Sequence, residues 1–432
     1  MAREVVFVTG HNPTRGKGGG SCYVRAHMRA AQWAGYAPHV FCLDAENGVS
    51  EEDFGVVHRV VPPPLLRRAL AASAAGRPRR FLAHWLGGFV LSPYAVAAHS
   101  GRLAASIERF LADRAGPHLI HGFYTWGCIG LDVRERMQRR GVETAVVSSV
   151  YTTARHEARA KARGASAGRW LHRAVFRAER LWIERAVARH ERRAYRESRL
   201  VLLNYESVRR LFLAEHGAGA ETRMTPYSAE AAFFAERAPE PQTAPPAREA
   251  DAPLIVSVSR HDPRKGIDVL IRALAALKSD GVRFRACLVS GGPLLDQHRR
   301  LAERLGLAGT VTFTGWVADA QPFLAGADIF VLPSLQEGGG SLALLEAMQA
   351  GAAVVASNVD GIPEDVVDGE SALLVEPGDA DALRGALARV LSDAALRQAL
   401  RRRARAAHAE RFSAGAFAAA MASVYAELGF GA

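Results

Sequence analysis

Short runs of β-branched and other apolar residues alternate along this chain with longer Ala/Leu/Arg stretches, an order that predicts α/β domains. In the first half EVVFVTG, from Glu4 to Gly10, reads as a strand, Cys22 to Ala34 as an amphipathic helix closed by Gly35, and APHVFCL as the next strand. HLIHGF, ETAVVSSVY and SRLVLLN continue the series, and Ala154 to Arg196 forms a long basic helical stretch with Trp170, Phe176 and Trp182 among its apolar members. A second series runs LIVSVSR, a helix through DVLIRALAAL, FRACLVSGG, a helix through LAERLGL, TVTFTG, DIFVLPS, a helix through LALLEAMQA, AAVVAS and ALLVEP. Near-continuous Val/Ile/Leu runs separated by helices indicate parallel strands covered on both faces.

Between the two series lies RAPEPQTAPPAREADAP, residues 237–253, too rich in proline for an element and suited to a semi-rigid linker. The expected organisation is an N-terminal Rossmann-like domain over 1–236, that linker, and a C-terminal Rossmann-like domain over 254–410. Two such domains make a cleft between the C-terminal edges of their sheets, where sheets of this kind bind ligands.

The stretch TGHNPTRGKGGGS, Thr9 to Ser21, is a glycine turn directly after the first strand. It is not a Walker A loop, since five residues separate Gly10 from Gly16 and Gly18 follows Lys17. It is not a dinucleotide fingerprint either, because Ser21 stands where the third glycine should be.

A length of 432 residues and 49% hydrophobic content fit two globular domains. The net charge of +11 favours anionic partners or reflects an Arg- and Ala-rich composition. A nucleic-acid partner is not expected, because no stacking or helix-turn-helix motif accompanies the charge. Cys22, Cys42, Cys128 and Cys287 are scattered without metal or disulfide spacing, which fits a reducing cytoplasm. MAREVVFVTG lacks the features of a signal peptide, so a cytoplasmic location is expected. FLAHWLGGFVLSPYAVAAH, Phe81 to His99, is nearly long enough to span a bilayer, but Gly87-Gly88, Ser92-Pro93 and His84 favour a buried helical hairpin or contact with the inner membrane face.

The densest chemistry lies in LPSLQEGGGSLALLEAMQAGAAVVAS, Leu332 to Ser357. A strand ends at Pro333-Ser334, glycines let the backbone approach a ligand, and a helix beginning near Ser341 offers unpaired amides to an anion. Glu337 stands at the mouth of the loop and Glu346 follows inside the helix. Carboxylates beside an anion site suit a ligand with hydroxyls on either side of a diphosphate, as in a nucleotide sugar.

These residues resemble the donor site of retaining glycosyltransferases of family 4, and the likeness runs through SVSRHDPRKGIDVLIRAL, LVSGGP, VTFTGWV, ADIFVLPS and DGIPEDVVDGESALLVEPGD. RFSAGAFAAAMASVYAEL is similar to the family's last helix, so 411–430 is expected to cross back to the first domain. The resemblance implies an α/β glycosyltransferase-B arrangement of two Rossmann-like domains facing across a cleft. It implies transfer of a sugar from a nucleoside diphosphate sugar, a UDP- or GDP-sugar, to an acceptor hydroxyl with retention, without a cofactor or metal ion. Arg260 and Lys265 would neutralise the diphosphate, with Gly291 in the neighbouring LVSGGP turn. The loop Gly338, Gly339, Gly340 with amides of Ser341 and Leu342 would complete its cradle. Glu346 would hold the ribose, Glu337 the transferred sugar, and Gly315, Trp316 and Val317 would border the base. Gly18, Gly19 and Gly20 resemble the glycine turn that reaches toward donor and acceptor. His121 resembles a histidine near the donor sugar, although Phe123 replaces the second member of the usual pair, and His156 with Glu157 could line the cleft. The acceptor, whether polysaccharide, lipid-linked or natural-product precursor, is not specified. A nucleotide-sugar 2-epimerase and a non-catalytic nucleotide-sugar-binding protein are the alternatives on the same fold.

One departure stands out. Eight residues lie between Glu337 and Glu346, where the family commonly has seven. On a helix the extra residue would rotate a side chain by about 100°, whereas a glycine loop can absorb it as a bulge.

Overall fold

The computed structural model describes residues 3–10, 12–14, 19–62, 101–156, 159, 177, 180–234 and 252–431. Phe81–His99, Glu157, Trp170, Phe176, Gly18 and all but the end of the 237–253 linker lie outside the described residues. The chain divides into two compact units, Met1–Glu230 with Ala414–Ala432, and Ala231–Ser413.

The first unit carries a sheet of strands β1 (Glu4–Val8), β2 (Ala37–Leu43), β3 (Gly48–Glu52), β4 (Gly55–Val60), β5 (His118–Phe123), β6 (Thr144–Val150), β7 (Leu200–Leu203) and β8 (Thr222–Met224). Their order is β3-β4-β2-β1-β5-β6-β7-β8, and every neighbouring pair is parallel except β3 with β4. β1 is buried along Val5, Val6, Phe7 and Val8 because sheet neighbours flank it and helices cover both faces. The helix Gly19–Trp33 lies against the helix Ala414–Tyr425, so the C-terminal helix belongs to the first unit. Tyr36 Oη donates to the carbonyl of Phe430 at 2.5 Å, and the Phe417 ring meets His27 at 4.8 Å.

The second unit carries β9 (Leu254–Val258), β10 (Arg285–Val289), β11 (Val311–Gly315), β12 (Ile329–Leu332), β13 (Ala353–Ser357) and β14 (Ala372–Val375), all parallel, in the order β11-β10-β9-β12-β13-β14. Ile255, Leu288, Ile329, Val331 and Val355 from the sheet pack with Leu270, Leu274 and Leu387 from its helices in one buried cluster. Each such side chain contributes about 1.5–3 kcal/mol through burial. Both units are Rossmann-like, as expected for the fold.

The strand orders fix where each sheet opens a crevice. Order reverses between β9 and β12 in the second unit and between β1 and β5 in the first. Chains leaving the C-terminal ends of these neighbours diverge to opposite sides of the sheet and leave a gap for a ligand. Among the described residues no helix is long and apolar enough to cross a membrane.

Candidate functional site

In the second unit the loops that leave β9 and β12 carry Lys265 and Glu337, at the switch point. After β9 the sequence DPRKG makes a tight turn for identifiable reasons. Asp262 caps it by accepting from the Arg264 amide at 3.0 Å, Pro263 occupies its first position, and Gly266 closes it in the left-handed region at φ 58°. A Cβ on Gly266 would lie 2.0 Å from the Pro333 carbonyl oxygen, so only glycine allows the two loops to approach this closely. Leu335 and Gln336 donate their amides to the Arg264 carbonyl at 2.7 and 3.2 Å.

That approach delivers the Lys265 ammonium to both carboxylate oxygens of Glu337, at 2.6 Å each. Ser334 Oγ donates to Glu337 Oε1, and the carboxylate side chain is only 5% exposed. Such a short charge-assisted pair in a sheltered place fixes both groups. Beyond it Gly338 takes φ 98°, Ser341 caps the helix Leu342–Ala350 with an extended backbone, and Glu346 sits half-buried on that helix. Gly338 thus provides a bend that a side chain would disfavour.

Arg260 is more exposed than either member of that pair. Its side chain is 67% exposed and its guanidinium lies 3.8 Å from the Asp262 carboxylate. Trp316 is exposed at the end of β11, where Gly315 has φ 70° and its carbonyl accepts from the Ser290 amide at 3.0 Å. The Gly291 turn lies against Trp316, whose backbone nitrogen would stand 3.5 Å from a Cβ there. Val317 follows Trp316 directly in the turn after β11. Gly339 and Gly340 complete the loop between Gly338 and Ser341.

Beneath this rim His261 and His298 face each other with their Nδ1 atoms 2.9 Å apart. One nitrogen must donate and the other accept, so at least the accepting ring is neutral and the contact excludes a doubly protonated pair. Burial, then the neighbouring His298 and Arg299, lowers His261 to about 4, and burial also lowers His298. In the first unit His27 is lowered to about 4 by burial as well. Each folded value lies below the unfolded one, so between the two the unfolded chain binds more protons and stability falls as pH falls through this window. The free energy of unfolding is therefore expected to drop on acidification from pH 7.5 to 5, by about 1.4 kcal/mol per pH unit for each such histidine below its unfolded value, and the denaturant midpoint with it. Equal midpoints in denaturant at the two pH values would contradict this.

The first unit treats its expected residues differently. Gly19 and Gly20 form the first turn of the helix Gly19–Trp33, with the Tyr151 hydroxyl 3.6 Å from where a Gly20 Cβ would stand. Asn12 anchors the preceding turn, donating to Asp44 and accepting from Thr14 N at 2.9 Å. Across the switch point Tyr124 holds φ 52° against Tyr151. His121 is fully buried, with Nδ1 2.8 Å from the Tyr425 hydroxyl and Nε2 2.7 Å from Ser149 Oγ. Burial lowers its pKa well below the ordinary value, with His27 adding to the effect. Both ring nitrogens have partners inside the first unit, and the side chain ties the C-terminal helix to the sheet. The His156 amide donates to Thr153 Oγ1 at 3.2 Å.

Comparison with known proteins bears on the second unit first. Residues 240–407 match the family model Glycosyl transferases group 1. A lipopolysaccharide core biosynthesis glycosyltransferase, LpsE of Rhizobium meliloti, is 38% identical over 154 residues, covering 36% of this chain and 44% of that protein. A GDP-mannose-dependent alpha-(1-6)-phosphatidylinositol monomannoside mannosyltransferase of Mycolicibacterium smegmatis is 38% identical over 168 residues, with the same coverage of 36% and 44%. The chain thus spans less than half the length of these curated relatives. Sucrose-phosphate synthase from Thermosynechococcus elongatus superposes over 99% of both chains with a TM-score of 0.69 at 22% identity, a likeness of fold.

Asp360 and Ser334 are the contributors that residue patterns left unassigned. Asp360 stands in DGIPED beyond β13, and an aspartate directly before glycine after a buried strand was the available signal, since Asp tolerates left-handed backbone better than most residues.

Proposed function

We propose that this protein is a retaining glycosyltransferase of family 4, moving a sugar from a nucleoside diphosphate sugar to an acceptor hydroxyl without a metal ion or other cofactor. The observation that carries this reading is the Lys265–Glu337 pair at the second sheet's switch point, directly before the amide-rich start of a helix. Lys265 and Arg260 supply positive charge to the diphosphate, and amides of Gly340, Ser341 and Leu342 add donors. Glu337 takes hydroxyls of the transferred sugar, Glu346 takes those of the ribose, and Gly315, Trp316 and Val317 border the base, near the Gly291 turn. Gly19 and Gly20 open the helix that follows β1 at the first sheet's switch point and in this reading meet the sugar nucleotide.

In the reaction the bond between the anomeric carbon and the diphosphate oxygen breaks, and a bond from the acceptor oxygen forms on the same face. The acceptor proton passes to the departing phosphate oxygen. Negative charge grows on the diphosphate as it leaves, so fixed cations and amides lower the barrier by binding the transition state better than the ground state. The transferase names of the relatives support transfer over epimerisation or mere binding.

The test is a panel of UDP- and GDP-sugars read by thermal shift and by release of the nucleoside diphosphate, with the anomeric configuration of the product followed by NMR. A matching donor at a hundred times its Kd should add about 2.7 kcal/mol of apparent stability, and turnover should persist in EDTA. Absence of binding across the panel would overturn the reading. An inverted product would overturn retention, and loss in EDTA restored by Mn or Mg would overturn metal independence.

A further inference from the structure

The loop that bears Glu337 is held from beyond β13. Asp360 Oδ2 accepts from the amide of Glu337 at 2.6 Å and from that of Gly338 at 2.8 Å. The next residue, Gly361, donates its amide to the Gly339 carbonyl at 3.0 Å. Three consecutive loop residues are thereby fastened to one two-residue turn. Asp360 itself sits at φ 51°, a conformation that favours glycine, so its side chain offsets a backbone cost. Two amides aimed at one carboxylate oxygen are strong, directional contacts. They tie the backbone of Glu337 separately from the glycines that come after it.

We propose that Asp360 is a positioning residue for Glu337: its carboxylate anchors the backbone of the glycine loop and sets the Glu337 carboxylate against Lys265. This rests on the glycosyltransferase reading for what Glu337 does, and on the hydrogen bonds alone for how it is held. The contact also makes a chemical distinction within the site. The nucleoside diphosphate is proposed to be held by Arg260, Lys265 and the amides from Gly340 onward, whereas Asp360 acts on the residue that meets the sugar. Losing Asp360 should therefore impair sugar handling while leaving recognition of the nucleoside diphosphate in place.

The test uses the full chain and the variants Asp360→Gly and Asp360→Asn. Glycine removes the carboxylate but relieves the backbone, which offsets part of the lost hydrogen bonds, so the unfolding midpoint should fall only modestly while kcat with the matching donor falls by about 10–100-fold, the scale expected for a misplaced group. Affinity for the nucleoside diphosphate alone, by calorimetry, should stay within about threefold of wild type. Asparagine tolerates the same backbone and keeps one oxygen for the amides, so it should recover part of kcat. Hydrogen exchange at the Glu337 and Gly338 amides should be slow in the wild type and fast in Asp360→Gly, with the helix Leu342–Ala350 unchanged. Unaltered kcat in Asp360→Gly, or parallel loss of kcat, nucleoside diphosphate binding and midpoint, would overturn the proposal. If the wild-type protein turns over no donor, the proposed function fails, and unchanged exchange at those two amides would then overturn the anchoring as well.

Discussion

Replacing Lys265 with alanine is expected to reduce donor turnover by about 10²–10³-fold, the cost of losing one preorganised charge partner in a sheltered site. Two effects act together. The ammonium is removed from the place where charge accumulates on the leaving diphosphate, and Glu337, 5% exposed, keeps its carboxylate with the partner at 2.6 Å gone. Breaking a fully buried pair by deleting one member costs about 3–5 kcal/mol. Lys265 is 18% exposed, so water can approach from its side and the stability loss should fall below that range. Arginine retains the charge but presents a planar fork where a single ammonium spans both oxygens, so Lys265→Arg should recover only part of the rate. Steady-state kinetics with the matching donor and an unfolding curve check both parts. A kcat/KM for Lys265→Ala within about threefold of wild type would remove Lys265 from the proposed chemistry.

Gly266→Ala is expected to be the most damaging single-methyl change in the second unit's site. A side chain at φ 58° costs about 1–2 kcal/mol, and forcing a methyl group into occupied space costs about 1–3 kcal/mol more. The occupied space is the carbonyl of Pro333, 2.0 Å from the new carbon, and backbone cannot swing aside as a flexible side chain would. Relief comes only by separating the loops after β9 and β12, which breaks the Arg264–Leu335 hydrogen bond of 2.7 Å and draws Lys265 from Glu337. The comparison is Gly315→Ala, whose φ of 70° is also left-handed but whose Cβ would meet open space. Unfolding measurements should therefore rank Gly266→Ala well below Gly315→Ala, and equal losses would show that loop approach is not what Gly266 provides.

Much of this was legible in the residues, and what was not has physical reasons. The strands of the second sheet coincide with the Val/Ile/Leu runs because a parallel strand covered on both faces must be apolar throughout. β3 escaped notice because GVSEE lies on an edge, exposed enough to carry two glutamates, and Thr222–Met224 is only 3 residues long. Lys265 and Glu337 were each placed at the mouth of a strand, but their pairing spans 72 residues and depends on a glycine–carbonyl approach that no local pattern encodes. His121 has a partner just as remote in sequence. Its position at a strand end suggested chemistry, and Tyr425, 304 residues further on, takes up one of its ring nitrogens. Asp360 was visible only as a letter in a motif, because its role follows from the shape of the loop it braces.

The return of residues 414–431 to the first unit has a consequence for biosynthesis. Phe417, Met421, Tyr425 and Phe430 are buried there, beside side chains translated near the start of the chain. A ribosome has therefore produced the whole of the second unit before it releases the last pieces of the first one's interior. The lobe begun first is finished last, and no gene fragment cut at the proline-rich junction encodes it entire.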